Sequence, residues 1–125
     1  MIYYENLNEK FITDRFPELT EKVNKETEGY EEFLSHVVFG NIFNPLTVSL
    51  LKSDDFSTDQ LLKRIFEMYE EMSSEGDAEV RNLVEATLLE YLWDEKKTYD
   101  RALKMMGEKT KELWDDINYL SVPEE

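Results

Sequence analysis

Nineteen consecutive residues, Phe33 to Leu51, carry no formal charge in a 125-residue chain that holds 29 Asp plus Glu and 14 Lys plus Arg. In so polar a chain, a segment that avoids charge this completely has to be hidden from water. It is not a membrane span, because Ser35, His36, Gly40, Asn41, Asn44, Pro45, Thr47 and Ser49 interrupt it with polar, Gly or Pro residues. Its apolar residues surround a helical axis instead of marking one stripe, as in a helix enclosed by others. The dipeptide Asn44-Pro45 predicts a division into two helices. One runs from Glu31 to about Phe43; the other has Asn44 as cap and Pro45 in the first helical position, and ends near Lys52.

The rest of the chain also reads as helix. Gly and Pro number only four and three, no Asn-Gly or Asp-Gly hairpin signal occurs, and no run alternates strictly over six residues. Periodicity predicts helices from Glu5 to Phe16, from Pro17 to about Lys25, from Thr98 to Met106 and onward from Glu108. Between them, "FSTDQL" at 56–61 combines a Ser57/Gln60 capping box with a Phe56/Leu61 staple, and predicts a helix start there. That helix turns an apolar face inward and an acidic face to water. "SSEGD" at 73–77 ends it, with Gly76 as the stop and Asp77 as the cap of the next helix. On that next helix Val80, Leu83, Val84, Thr87, Leu88, Tyr91 and Leu92 form one broad face, and Ala86, Leu89 and Trp93 a second. The sum is a single all-α domain over residues 1–125, of about seven helices, long enough to bury roughly 68% of its unfolded surface.

The stretch "DAEVRNLVEATLLEYL", with Asp77, Val80, Arg81, Ala86 and Leu88/Leu89 in place, resembles the second helix of a HEAT-type repeat. It implies one HEAT-like helix pair at about 58–93 inside a closed domain. A wider resemblance, through "FGNIFNP" and "MMGEKTKELW", covers some two thirds of the chain. It is to a group of small, acidic, all-helical bacterial proteins of mostly uncharacterised function, several of them polymorphic-toxin immunity proteins. That resemblance implies a fold and a role, and no site residues.

Chemistry is sparsely provided. There is no cysteine and one histidine, His36, so a thiolate site and a Cys nucleophile are excluded. Glu32 and His36 stand four apart, yet two ligands do not make a metal site, and His36 reads as structural. No G-x-S-x-G segment, phosphate loop, dinucleotide fingerprint or calcium loop appears. The acid pairs Glu70/Glu71, Asp94/Glu95 and Asp115/Asp116 point apart on a helix and read as solvated surface. We therefore expect no enzyme, no cofactor and no metal.

A net charge of −15 repels phosphate backbones and anionic lipid, and steers basic partners inward. The opening "MIYYENLNEKF" lacks the basic and apolar regions of a signal peptide, so a cytoplasmic protein is expected. The functional expectation is an immunity-type protein that neutralises a basic toxin domain. Its acidic anchors would be Glu67, Glu70, Glu71, Glu75 and Asp77, with Glu79 and Asp94 beside them and Trp93 as a candidate aromatic anchor. The alternative is a HEAT-like scaffold or adaptor; an enzyme working through clustered carboxylates ranks behind both.

Overall fold

The computed structural model describes residues 1–124. It is all-helical, with no strand among the described residues and a single parallel bridge between Ile2 and Gly76. The α-helices are α1 (Glu9–Arg15), α2 (Thr20–Thr27), α3 (Ser35–Leu51), α4 (Gln60–Glu75), α5 (Ala78–Asn82), α6 (Lys96–Met105) and α7 (Glu108–Asp116). Helix α5 runs on through a π-helical stretch, Leu83–Leu89, into a 3-10 turn, Glu90–Trp93, with right-handed helical backbone at each junction. These three pieces act as one rod from 78 to 93.

Several boundaries differ from the periodic pattern, each for a local reason. Helix α1 begins later than expected because the Asn8 side chain accepts from the Phe11 N–H at 3.0 Å and caps it. Residues Tyr4–Asn6 form a separate 3-10 turn. The expected N-cap Ser57 gives way to Asp59, whose carboxylate accepts from the Leu62 N–H at 2.8 Å. A carboxylate satisfies the orphan N–H and also complements the positive helix end, which a hydroxyl does not. Phe56 is drawn beneath the Arg101 guanidinium, 4.5 Å from the ring centroid, so Phe56–Thr58 winds as a 3-10 turn instead of entering the helix.

The largest correction concerns the uncharged segment. It is one helix from Ser35 to Leu51, with Pro45 inside it and residues 31–34 outside. An interior proline removes a backbone bond and costs about 3 kcal/mol. Helix α3 tolerates it because Pro45 lies on the exposed side, while Val38, Phe39, Ile42, Phe43 and Leu51 are each at most 3% exposed. Burying side chains of this size is worth about 1.5–3 kcal/mol apiece, so continuity outweighs the missing bond. Asn44 does not cap anything. It is buried, and its Nδ2 donates to the Thr87 carbonyl at 3.0 Å.

Thr87 sits in the π-helical part of the rod, where the Glu90 N–H bonds the Glu85 carbonyl five residues back. The wider turn is a rare geometry that recurs at functional sites. Val80, Leu83, Val84, Leu88 and Leu92 are at most 1% exposed, and the rod packs most extensively on α3, with further contacts to α4, α6 and α7. Of the second face, Ala86 is exposed while Leu89 is fully buried. Trp93 is 8% exposed and packs with Tyr99 and Trp114, at ring-centroid distances of 4.9 and 5.2 Å. It is a core residue beneath α6 and α7, not the surface anchor considered from the sequence.

Because the rod is enclosed on all but one side, Leu88→Ala is expected to cost about 2–5 kcal/mol in urea denaturation. Ala86→Ser, on the exposed line of the same rod, is expected to stay within about 0.5 kcal/mol of the parent.

Candidate partner-binding surface

The carboxylates expected to meet a partner lie on α4 and around the turn at Gly76, and the fold divides them into two sets. Glu70 belongs to the interior architecture. Its carboxylate accepts from the Lys109 N–H at 3.0 Å, the Thr110 N–H at 2.9 Å and the Thr110 hydroxyl at 2.9 Å. It thereby caps α7, whose own N-cap residue is Gly107 and supplies no side chain. A Cβ at 107 would stand 2.5 Å from Glu70 Oε1, so the bare glycine is what lets the carboxylate reach the helix end. Burial pushes the Glu70 carboxyl up, but the bonds from Thr110 and Lys109 and the Lys109 charge outweigh it, and the group is held below its ordinary value of 4.5.

Asp77 is likewise occupied. It caps α5 through the Val80 N–H at 2.9 Å, and its second oxygen accepts from the Tyr4 N–H at 3.0 Å. Those two N–H bonds, Tyr4 first, hold its carboxyl below the ordinary range. The N-terminal segment is fastened to the same turn by backbone bonds, from the Ile2 N–H to the Glu75 carbonyl at 2.7 Å and from the Asp77 N–H to the Ile2 carbonyl at 2.9 Å. Glu71 is paired too: Arg15 grips it with Nε and Nη2, each at 3.0 Å. Glu70, Glu71 and Asp77 thus each already hold a partner within the chain.

Glu67, Glu75 and Glu79 form the second set. They are exposed and make no ion pair among the described residues. Asp94 is exposed as well, but it lies apart, at a cleft that Lys96, Lys97, Arg101 and Lys104 also line. The fold adds a further acidic group that sequence reasoning missed, joined across 34 and 29 residues by Tyr119. Its hydroxyl donates to Glu90 at 2.5 Å and to Glu85 at 3.4 Å. Burial, and then repulsion from Asp116 and Glu90, push the Glu85 carboxyl up. The hydrogen bond to Glu90 pushes the Tyr119 phenol up. No group of three or more His, Cys, Asp or Glu among the described residues is placed to hold a metal ion.

Three arginines are engaged by the fold's own groups. The Arg15 and Arg64 guanidinium groups lie over the Phe11 and Phe16 rings, 3.7 and 5.2 Å from the centroids, and pair with Glu71 and Glu18. Arg101 donates to the Leu51 and Ser53 carbonyls at 2.8 and 2.9 Å. The surface left over is dominated by carboxylate.

The uncharged helix brings a different set together. His36 Nδ1 is hydrogen-bonded to the Thr87 hydroxyl, and the Tyr4 ring stands 6.0 Å from the imidazole. Gly40, Asn41, Asn44 and Pro45 of α3 complete a cleft that Thr87 and Tyr91 close from the rod. Sequence reasoning assigned His36 a structural role and missed this cleft. The one available signal was polar, Gly or Pro residues recurring at positions 36, 40, 41, 44 and 45 of a segment otherwise fit for the core.

The division of the acids has a measurable consequence. Glu70→Ala is expected to cost about 1 kcal/mol through the lost cap, whereas Glu67→Gln and Glu79→Gln should be near neutral in thermal melts. The pH dependence fixes the sign. A carboxyl depressed in the folded state contributes fully above its unfolded value and loses that contribution as pH falls through the folded one, so the Glu70→Ala deficit should shrink in melts taken progressively below pH 4.5.

No helix among the described residues is long and apolar enough to cross a membrane. No curated protein and no solved structure matches the chain. A family model does match, across residues 9–121 and therefore across α1 to α7, and the chain belongs to that family, described as a domain of unknown function, DUF7674.

Proposed function

We propose that this protein is a cytosolic immunity-type protein that binds a basic toxin domain, a nuclease being the most concrete case, and neutralises it. One observation carries the reading: a net charge of −15, with Glu67, Glu75 and Glu79 exposed without ion pairs among the described residues. Such a surface raises the encounter rate with a cationic partner and disfavours nucleic acid and anionic lipid. The resemblance of "FGNIFNP" and "MMGEKTKELW" to a group of small acidic helical proteins, mostly uncharacterised and several of them immunity proteins, points the same way. Inhibition would be steric or electrostatic, with no chemistry asked of this chain.

The alternative, a HEAT-like scaffold, predicts several partners in a pull-down and little salt dependence. In the fold, α4 packs most extensively on α7 and the rod on α3, so the 58–93 pair is enclosed within a domain and does not open as a repeat.

Co-expression with the product of the neighbouring gene tests the proposal. That product should be toxic alone and tolerated with this chain, the two should co-purify, and affinity should fall steeply from about 0.05 M to about 0.5 M salt as screening shortens. The combined variant E67Q/E75Q/E79Q is expected to slow association by about tenfold with little change in dissociation. A harmless neighbour that does not co-purify would sink the reading.

A further inference from the structure

Helix α6 is the one α-helix among the described residues with a net positive charge. Its 10 residues hold four of the chain's 14 Lys plus Arg and one of its 29 acids. Lys97, Arg101 and Lys104 recur at i, i+4 and i+7, a spacing that puts them on one side of the helix. They line an open cleft of about 600 Å³ together with Lys96, Asp94, Glu95, Asp100 and Glu124. Two of those acids are already paired, Glu95 with Lys52 at 2.8 Å and Asp100 with Lys96 at 3.3 Å. Arg101 donates to the Leu51 and Ser53 carbonyls, which leave its charge uncancelled. Lys97 and Lys104 are exposed and make no ion pair among the described residues. The two remaining acids of the cleft differ in origin. Asp94 lies just before α6, where the positive helix end favours it. Glu124 comes from the segment that follows α7.

That segment, residues 117–124, is fastened at one end. Ile117 is 1% exposed, and the Tyr119 hydroxyl bonds Glu90 and Glu85 on the rod. Beyond Tyr119, no hydrogen bond or ion pair ties residues 120–124 to the rest of the described structure, and Leu120 and Val122 stay exposed. Pro123 keeps Val122 out of helical backbone and is itself half-buried, so the chain is laid against the domain just before Glu124 reaches the cleft. Glu124 shares that cleft with Lys97 and Lys104 and forms no ion pair with either. A carboxylate on a loosely held segment thus stands beside two lysines that lack a counter-charge.

We infer that residues 117–124 are a strap, hinged at Tyr119, whose Glu124 end closes on Lys97 and Lys104. Charge decides the occupant of the basic stripe. A separate acidic molecule has to approach through the field of a chain with a net charge of −15. A tethered carboxylate is already there, at an effective concentration on the order of millimolar. A cationic partner is repelled by the stripe and drawn to the carboxylates elsewhere. Closure covers the one helix whose charge opposes the rest of the surface. Salt weakens it, because Lys97, Lys104 and Glu124 are all exposed to water. The strap stands independently of the functional reading above.

The chain holds no cysteine, so Ser121→Cys gives the full chain, labelled with nitrogen-15, a single attachment point for a nitroxide spin label. In about 0.05 M salt the label is expected to broaden the NMR signals of the Lys97, Arg101 and Lys104 amides. Raising salt to about 0.5 M should cut that broadening about threefold. Glu124→Lys should cut it by a similar factor at low salt, and so should K97E/K104E. Combining the two reverses both charges and should restore the broadening. Residues 97, 104, 121 and 124 are all exposed, so none of these variants endangers the fold. Broadening that is absent from α6, or that ignores salt and both charge reversals, would overturn the strap. Hexaglutamate serves as the competing occupant, and it should shift the α6 amides about threefold less in the parent than in the Glu124→Lys chain, where the strap is open. Equal shifts in the two chains would mean that the stripe is free to take outside anions, and the inference would fail.

Discussion

Helix α3 carries no charge with which to face solvent, so the protein has to be built around it, and the rod from 78 to 93 is the element that packs on it most extensively. The contact is not purely apolar. Asn44 reaches across to the Thr87 carbonyl and His36 to the Thr87 hydroxyl, so one residue of the π-helical turn receives two polar side chains from the facing helix. A register shift along either helix would strand those groups in a part-buried interface, where an unpaired polar atom costs up to about 1–3 kcal/mol. The apolar contacts supply the driving force, and these bonds select one alignment.

The remaining helices are fastened to that pair by long-range caps and clasps. Glu70 of α4 caps α7 from 39 and 40 residues away, and Asp77 holds both the start of the rod and the N-terminal segment. Arg15 of α1 clasps Glu71 of α4, and Arg64 of α4 clasps Glu18. Acidic residues in this chain therefore do two kinds of work. Some satisfy N–H groups or guanidinium groups and hold the fold together; the others stay in water and set the field around it.

Much of the architecture was legible in the sequence because it rests on local rules. The all-α class, the stop at Gly76 and cap at Asp77, and the buried face of Val80 to Leu92 follow from helical spacing and terminal residue chemistry, although Tyr91 of that face lies exposed. The errors were also physical. Ser57 lost to Asp59 because two plausible caps two residues apart differ by less than the tertiary pull on Phe56. Asn44-Pro45 read as a boundary because in isolation a proline ends a helix; burial on the opposite side of α3 reversed that balance. Of the candidate site, exposure of Glu67 was readable from helical spacing, and Glu75 and Glu79 from the acid-rich turn that follows. The occupation of Glu70 was not, since nothing near position 70 announces a helix end at position 108.

What this chain determines by itself is its alphabet of elements and its charge: helix periodicity, caps within three residues and a net −15 are local or additive properties. Tertiary structure alone decided which carboxylates remain free, that Trp93 is interior, and that His36, Asn44 and Thr87 meet beside an interior proline. The hydrogen bonds among those outcomes join pairs 39 to 73 positions apart, and a bond across such a gap exists only once packing has brought its two ends within about 3 Å.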